Sequence, residues 1–289
     1  MISVVCVFGI LPFAITLQID ACINVNNQYL FDSPGEEMLR AHCEFVLDAA
    51  SKFSYSSFLL LNDLVPFTVL TEPLFVNQTR RSILQQFVSL VAAPCGTDTA
   101  CIVSELNEKV WAVSGNEIVF APAPPGKLNS YGIDETWTRG NGSCTAMSVF
   151  LITALRFAGV PARIVGTPHW NNPANDGNHN WVEVYTSSGW SWVDQRRPDK
   201  IVLPLNQSWF YPEWTQNNSV PHMGNLSIYA ASFMPVNALN SARYPKGRFV
   251  EEADWFKLAW DWENHDVPAW DVSGVYGQKP PQVYQYQQV

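Results

Sequence analysis

Between residues 35 and 53 the apolar positions Leu39, Cys43, Val46, Leu47 and Ala50 recur at spacings of three and four. That is the period of a helix with one buried face. Ser33-Pro34 ahead of the run predicts a cap followed by proline in the first turn. Residues 79–92 and 99–113 carry the same amphipathic pattern and predict two further helices. The stretch from Cys144 to Ala158 is different, because it is apolar on nearly every side. Such a helix belongs in the middle of a core. Gly159 predicts its end, with Pro161 just beyond. Ala162–Thr167 reads as a short strand, and a polar loop rich in Asn and Pro runs from Pro168 to Asn178. Residues His179–Tyr185 then alternate, Thr-Ser-Ser-Gly turns, and Trp190–Gln195 returns, which predicts a β-hairpin. Helices early and strands late predict an α+β fold.

The hairpin decides where two polar side chains fall. An even-numbered loop pairs Tyr185 with Trp190, and hence Trp181 with Asp194. His179 is then the diagonal neighbour of Asp194 on the same face, within side-chain reach. An odd loop or a bulge separates them.

The first 17 residues are apolar, no charged side chain precedes Asp20, and the first Lys or Arg is Arg40. That length matches the apolar region of a signal peptide and falls short of a membrane span. Residues 1–21 are therefore expected to be a leader, cleaved after Ala14 or Ala21. The alternative is a buried first strand or helix, since the usual basic start is missing. The rest divides into a mainly helical segment over 22–95, a main domain over 96–277 and a polar tail over 278–289. No other stretch is long and apolar enough to span a membrane, so no membrane association is expected after leader removal.

Composition narrows the partners. The net charge is −9 and no Lys/Arg run is present, the densest spots being Arg80-Arg81 and Arg196-Arg197. Nucleic acid recognition needs a basic face, so it is not expected here. Asn-X-Ser/Thr triplets begin at Asn77, Asn141, Asn206, Asn217 and Asn225, which fits a secreted chain. Without Cys6 in the leader, five cysteines remain: Cys22, Cys43, Cys95, Cys101 and Cys144. Four can pair and one is left over. Cys95 and Cys101 bracket a short loop, so the preferred pairing is Cys95–Cys101 with Cys22–Cys43, leaving Cys144. A Cys144 bridged to one of the others is the alternative.

Cys144 directly follows Gly140-Asn141-Gly142-Ser143 at the start of the apolar helix. A helix N-terminus offers N–H groups and the positive end of the dipole. Both favour thiolate over thiol, and the same N–H groups can hold an oxyanion. A buried, inert cysteine is the plainer reading of this residue alone. A Cys opening a helix, then His179, then Asp194 on a hairpin is the arrangement of nucleophile, base and orienter in a cysteine acyl-transfer enzyme.

Gly142-Ser-Cys144, the run Ala154–Arg163 ending in Gly-Val-Pro-Ala-Arg, His179-Asn-Trp-Val-Glu-Val184 and Trp190-Ser-Trp-Val-Asp194 together resemble the core of the transglutaminase-like superfamily. The motif-bearing match covers roughly residues 140–196, and a weaker likeness to bacterial-type secreted members extends over 100–275. The resemblance implies a papain-like α+β fold whose central buried helix carries the cysteine and packs on an antiparallel sheet. It makes 96–277 the transglutaminase-like domain and Cys144, His179 and Asp194 the catalytic triad. The implied chemistry is acyl transfer from an amide, a Gln side chain or a peptide bond of a protein or peptide, through a thioester, to an amine or to water. Family members include transglutaminases, peptidases, amidases and inactive forms, so the rival reading is a non-catalytic binding module using a Trp-lined groove. The backbone N–H of Cys144 is the expected oxyanion donor, with Asn107 or Trp111 as candidates for a second.

No cofactor and no metal are expected. His169, ten residues before His179 with Asp176 between, matches no zinc-ligand spacing, and there is no CxxC pair. Trp255, Trp260, Trp262 and Trp270, with Trp209 and Trp214, are expected to pack or to wall a cleft. Arg139 and Arg163 are expected to be solvated or ion-paired. A glycan on Asn141, three residues before Cys144, would block the cleft, so glycopeptide mass spectrometry is expected to find Asn141 unmodified.

Overall fold

The computed structural model describes residues 11–29, 34–122, 131–171, 177–196, 200–218, 223–233, 255–260 and 267–276. Ser33, Asp176, Trp262 and the polar tail lie outside them. Helices dominate the first half: α1 (Leu11–Tyr29), α2 (Glu36–Ala50), α3 (Ser57–Leu59), α4 (Gln78–Ala92), α5 (Thr99–Lys109), α6 (Ile133–Arg139) and α7 (Cys144–Phe157). A two-stranded parallel ribbon, β1 (Val119–Phe120) with β2 (Asn141–Gly142), leads into α7. The main sheet is antiparallel in the order β5-β4-β3-β6-β7, from β3 (Ala162–Thr167), β4 (His179–Thr186), β5 (Gly189–Val193), β6 (Tyr229–Ala231) and β7 (Ala269–Asp271). Two short helices, α8 (Glu213–Asn217) and α9 (Ser273–Tyr276), complete the described α-helices. The fold is α+β, as the order of patterns predicts.

The amphipathic helices form where the periodicity places them. α2 buries Leu39, Cys43, Val46 and Ala50, but its cap is Gly35 and its first turn carries Glu36 and Glu37, which suit the positive end of the helix dipole. Proline does not enter the helix. In α4 the cap is Asn77, whose side chain accepts from the Arg80 N–H. The third predicted helix stops at Lys109 and tightens into a 3₁₀ turn over Val110–Ala112. Asp98 caps α5 by accepting from the Cys101 N–H, and the Cys95–Cys101 bridge fixes the same turn. The second bridge, Cys22–Cys43, ties α1 to α2. α1 runs without a break through Ala14 and Ala21, and Ile19 is buried in the core. Among the described residues, no helix is long and apolar enough to cross a membrane.

α7 is the centre of the molecule, with every residue from Thr145 to Phe157 buried. Its last turn holds a buried cation. Arg156 donates to the carbonyls of Asp63, Pro66, Thr68 and Ala162. One guanidinium thus pins the 63–68 segment to the sheet, meeting acceptors that burial would otherwise leave without water. Glu72 does the converse, accepting from the Val69 and Leu70 N–H groups at 2.6 and 2.7 Å. The chain then turns through Gly159, whose φ of 79° and close approach to the Ala49 carbonyl, 2.4 Å from where a Cβ would sit, exclude any other residue.

Under the helices, His42 is buried between Arg81 and the Val65 carbonyl. Its Nε2 lies 3.0 Å from the Val65 oxygen and so donates, leaving Nδ1 to accept from Arg81. Burial, then the charges of Arg81 and Arg156, hold its pKa well below 6.5, against the bond to Val65, which favours the proton. The unfolded chain takes up that proton near pH 6.5 and the folded chain resists it. Stability therefore falls as pH drops below about 6.5, by up to about 1.4 kcal/mol per pH unit. Thermal midpoints measured between pH 7.5 and 5 are expected to fall, with a shallower fall in His42→Gln.

Candidate active site

Three elements converge on Cys144. Ser143 caps α7, its hydroxyl accepting from the Ala146 N–H, so Cys144 opens the helix with first-turn N–H groups that have no acceptor within it. Gly142 is buried, and a Cβ there would lie 2.9 Å from that of Ala146. The approach to the cysteine therefore has to be glycine. Cys144 is half-buried, and among the described residues it is the free thiol.

β4 brings the second group. Its first residue, His179, is 7% exposed, and the Asn180 backbone N–H beside it and the Thr145 hydroxyl both favour the Cys144 thiolate. The Asn180 side chain donates to Thr145 Oγ1 at 2.7 Å. It crosses β3 at Gly166, where a Cβ would fall 1.8 Å from Asn180 Oδ1. Gly166 is thus required by the residue that seats the nucleophile. Ser148 of α7 and Gln195 both donate to the Asn180 carbonyl, locking helix to strand.

The hairpin brings the third. Tyr185 pairs with Trp190 across a two-residue tip, which is the even register. Asp194 follows β5, and its Oδ1 lies 2.9 Å from His179 Nε2. The Gln195 N–H donates to the same oxygen at 3.1 Å. With Nε2 turned to Asp194, Nδ1 is the ring nitrogen left to serve Cys144, whose thiolate His179 favours. The structure therefore brings Cys144, His179 and Asp194 into one chain of contacts.

Electrostatics follow from that geometry. Burial pushes the Cys144 thiol up, but the hydrogen bond and charge of His179, then Asn180 and Thr145, outweigh it and hold the pKa below the usual thiol value. Burial pulls His179 down, but the charge and hydrogen bond of Asp194, then Cys144, carry it up to about 10. Both shifts act in the direction of a thiolate–imidazolium pair.

Aromatic rings enclose the imidazole. Trp181 stacks on it at 6.0 Å and 24°, with Phe210 at 5.0 Å and Trp209 at 5.2 Å. Trp209 is 43% exposed, whereas Trp270 is buried and Trp214, Trp255 and Trp260 are partly buried. The C-terminal tryptophans thus divide, and the one at the site's edge is Trp209.

Neither expected second oxyanion donor is available. Asn107 Nδ2 donates to the Asp194 carbonyl at 2.8 Å, its Oδ1 accepts from the Arg196 N–H, and the Trp111 indole donates to the Asn107 carbonyl. These residues brace the segment carrying Asp194. Sequence reasoning also missed Asn180 and Gln195, although each adjoins a candidate residue. Arg139 pairs with Glu135, and Arg163 with Glu183, so both arginines take the ion-paired alternative. Among the described residues, no three His, Cys, Asp or Glu side chains cluster to hold a metal.

Residues 85–195, which carry all three contacts, match the model of the transglutaminase-like superfamily. Solved structures with local likeness include a TGase (13% identity, 41% of this chain and 32% of that one, TM-score 0.32). Another is a candidate cysteine protease from Cytophaga hutchinsonii (21%, 39% and 36%, 0.30). A third is the periplasmic domain of TgpA from Pseudomonas aeruginosa (24%, 41% and 43%, 0.30). The chain thus spans less than half the length of each. No curated protein matches it significantly.

Proposed function

We propose, from the transglutaminase-like core in residues 85–195, that the chain is a cysteine enzyme acting on amide bonds of proteins or peptides. The carrying observation is the His179–Asp194 hydrogen bond beside a Cys144 that opens a helix and whose thiolate His179 favours. The Cys144 thiolate attacks the amide carbonyl, and the oxyanion forms toward the first-turn N–H groups of α7. His179, as imidazolium, gives its proton to the departing nitrogen as the C–N bond breaks, leaving a thioester. Neutral His179 then takes a proton from an incoming amine or water, whose attack breaks the C–S bond and restores the thiolate. Asp194 orients the ring and stabilises its charged form.

The two disulfides and the apolar N-terminal stretch support an exported protein. Trp209 favours one second reading, a groove that binds peptides without reacting, because an exposed indole beside His179 is also a binding surface.

Iodoacetamide labelling at pH 6 separates the two. An ordinary thiol of pKa near 8.5 is under about 1% ionised there. Cys144 is expected to react at least about tenfold faster than free cysteine, and His179→Ala to remove that excess. Slow labelling that His179→Ala leaves unchanged would point to the binding module.

A further inference from the structure

His179 rests on Trp181, and what fixes Trp181 comes from the far end of the chain. The Trp181 indole N–H donates to the Tyr276 hydroxyl at 2.8 Å. That hydroxyl donates in turn to Glu183 Oε1 at 2.9 Å. Glu183 Oε2 accepts from Arg163 Nε and Nη2 at 2.8 and 2.7 Å, and the Arg163 guanidinium lies 4.0 Å over the Trp190 ring. Tyr276, Trp181, Glu183 and Arg163 are all at most 1% exposed. An indole stacked on an imidazole alone could slide within its plane, because ring contacts tolerate offsets. A directed N–H bond removes that freedom.

Burial, then the charge of Glu183, raises the Tyr276 pKa well above its usual value, so the hydroxyl keeps its proton across the working range. Its one hydrogen serves Glu183 and its lone pair serves Trp181, which fixes the sense of both bonds.

We propose that Tyr276 is a positioning residue for the reaction at Cys144: through Trp181 it sets the orientation of the His179 ring between Asp194 and the thiol. This rests on the reading of Cys144 as nucleophile. It makes α9, outside the 85–195 match, a working part of the site.

The test is the pH profile of Cys144 alkylation, with thermal midpoints measured alongside, for the wild type, Tyr276→Phe, Trp181→Phe and the double variant. Tyr276→Phe removes only the hydroxyl. Trp181→Phe keeps a ring under His179 but removes the donor, and it carries the test should Tyr276→Phe not fold. Each single variant is expected to move the alkylation midpoint alkaline by about one pH unit, a roughly tenfold loss of thiolate at pH values well below the wild-type midpoint. The double variant is expected to match the singles, because both cut one link. A lowered thermal midpoint with an unchanged pH profile would make Tyr276 merely structural and overturn the inference. Independent, additive shifts would overturn it too. A wild type that alkylates only as an ordinary thiol overturns both this inference and the proposed function. An acid-reactive wild type matched by both single variants overturns this inference alone.

Discussion

Asp194→Ala is expected to lower acyl transfer roughly a thousandfold, within the range that a positioned acid–base system contributes. The carboxylate does two things that Ala cannot. It accepts from His179 Nε2, fixing which ring nitrogen faces Cys144, and its charge is the largest influence raising the His179 pKa. Without it, burial is opposed only by the smaller effect of Cys144, and His179 holds its proton less tightly. The thiol then loses the charge that holds its pKa down, so the pH profile of alkylation moves alkaline as turnover falls. Asp194→Asn keeps an acceptor for His179 and for the Gln195 N–H but not the charge. It is expected to retain more activity than Ala, with a similar alkaline shift. The measurements are kcat/KM once a substrate is in hand, and alkylation rates across pH before then. An Asp194→Ala variant that labels like the wild type at pH 6 would dismiss the orienter role.

Arg163→Met is expected to destabilise the fold by about 3–5 kcal/mol, the usual consequence of leaving one half of a buried ion pair behind. Arg163 and Glu183 have side chains 2% and 1% exposed, so water cannot replace the lost partner. The Glu183 carboxylate would then keep its bond from the Tyr276 hydroxyl but lose the guanidinium, which would also no longer cover Trp190. For a chain of this size a fall of roughly 10 °C in the thermal midpoint corresponds to such a loss. Combining Arg163→Met with Glu183→Leu is expected to recover part of it, because the stranded charge is gone. A double variant less stable than Arg163→Met would mean that the pair itself, not its desolvation, dominates.

The site was legible to the extent that its chemistry is local. Cys144 stands at a junction between a glycine-rich turn and an all-apolar helix, and both features are contiguous in sequence. The His179–Asp194 contact followed from strand periodicity and the parity of one turn. Asn107 stands in the sequence as one of two candidates for a second oxyanion donor, because nothing in its own helix reveals that Asp194, 87 residues later, lies against it. Nothing in the local sequence marks Arg156, whose guanidinium meets three carbonyls of the 63–68 segment, 88 to 93 residues away, as well as that of Ala162. β6 and β7 are three residues each, too short for alternation to register. Tyr276 could not be found by spacing at all, since its partners lie 93 and 95 residues away.

The hairpin that joins His179 to Asp194 has another end. Its tip, Ser187-Ser188, is exposed and lies at the opposite end of β4 from the imidazole. Eight residues of extended chain put the two about 25 Å apart. A peptide epitope or a tether to a solid support inserted between those serines would enter where the chain is least packed. The strand register above it is held by Tyr185 facing Trp190 and by the neighbouring strand β3. The protein could thus be displayed on a surface with its thiol facing the solution, anchored through a turn that takes no part in the chemistry.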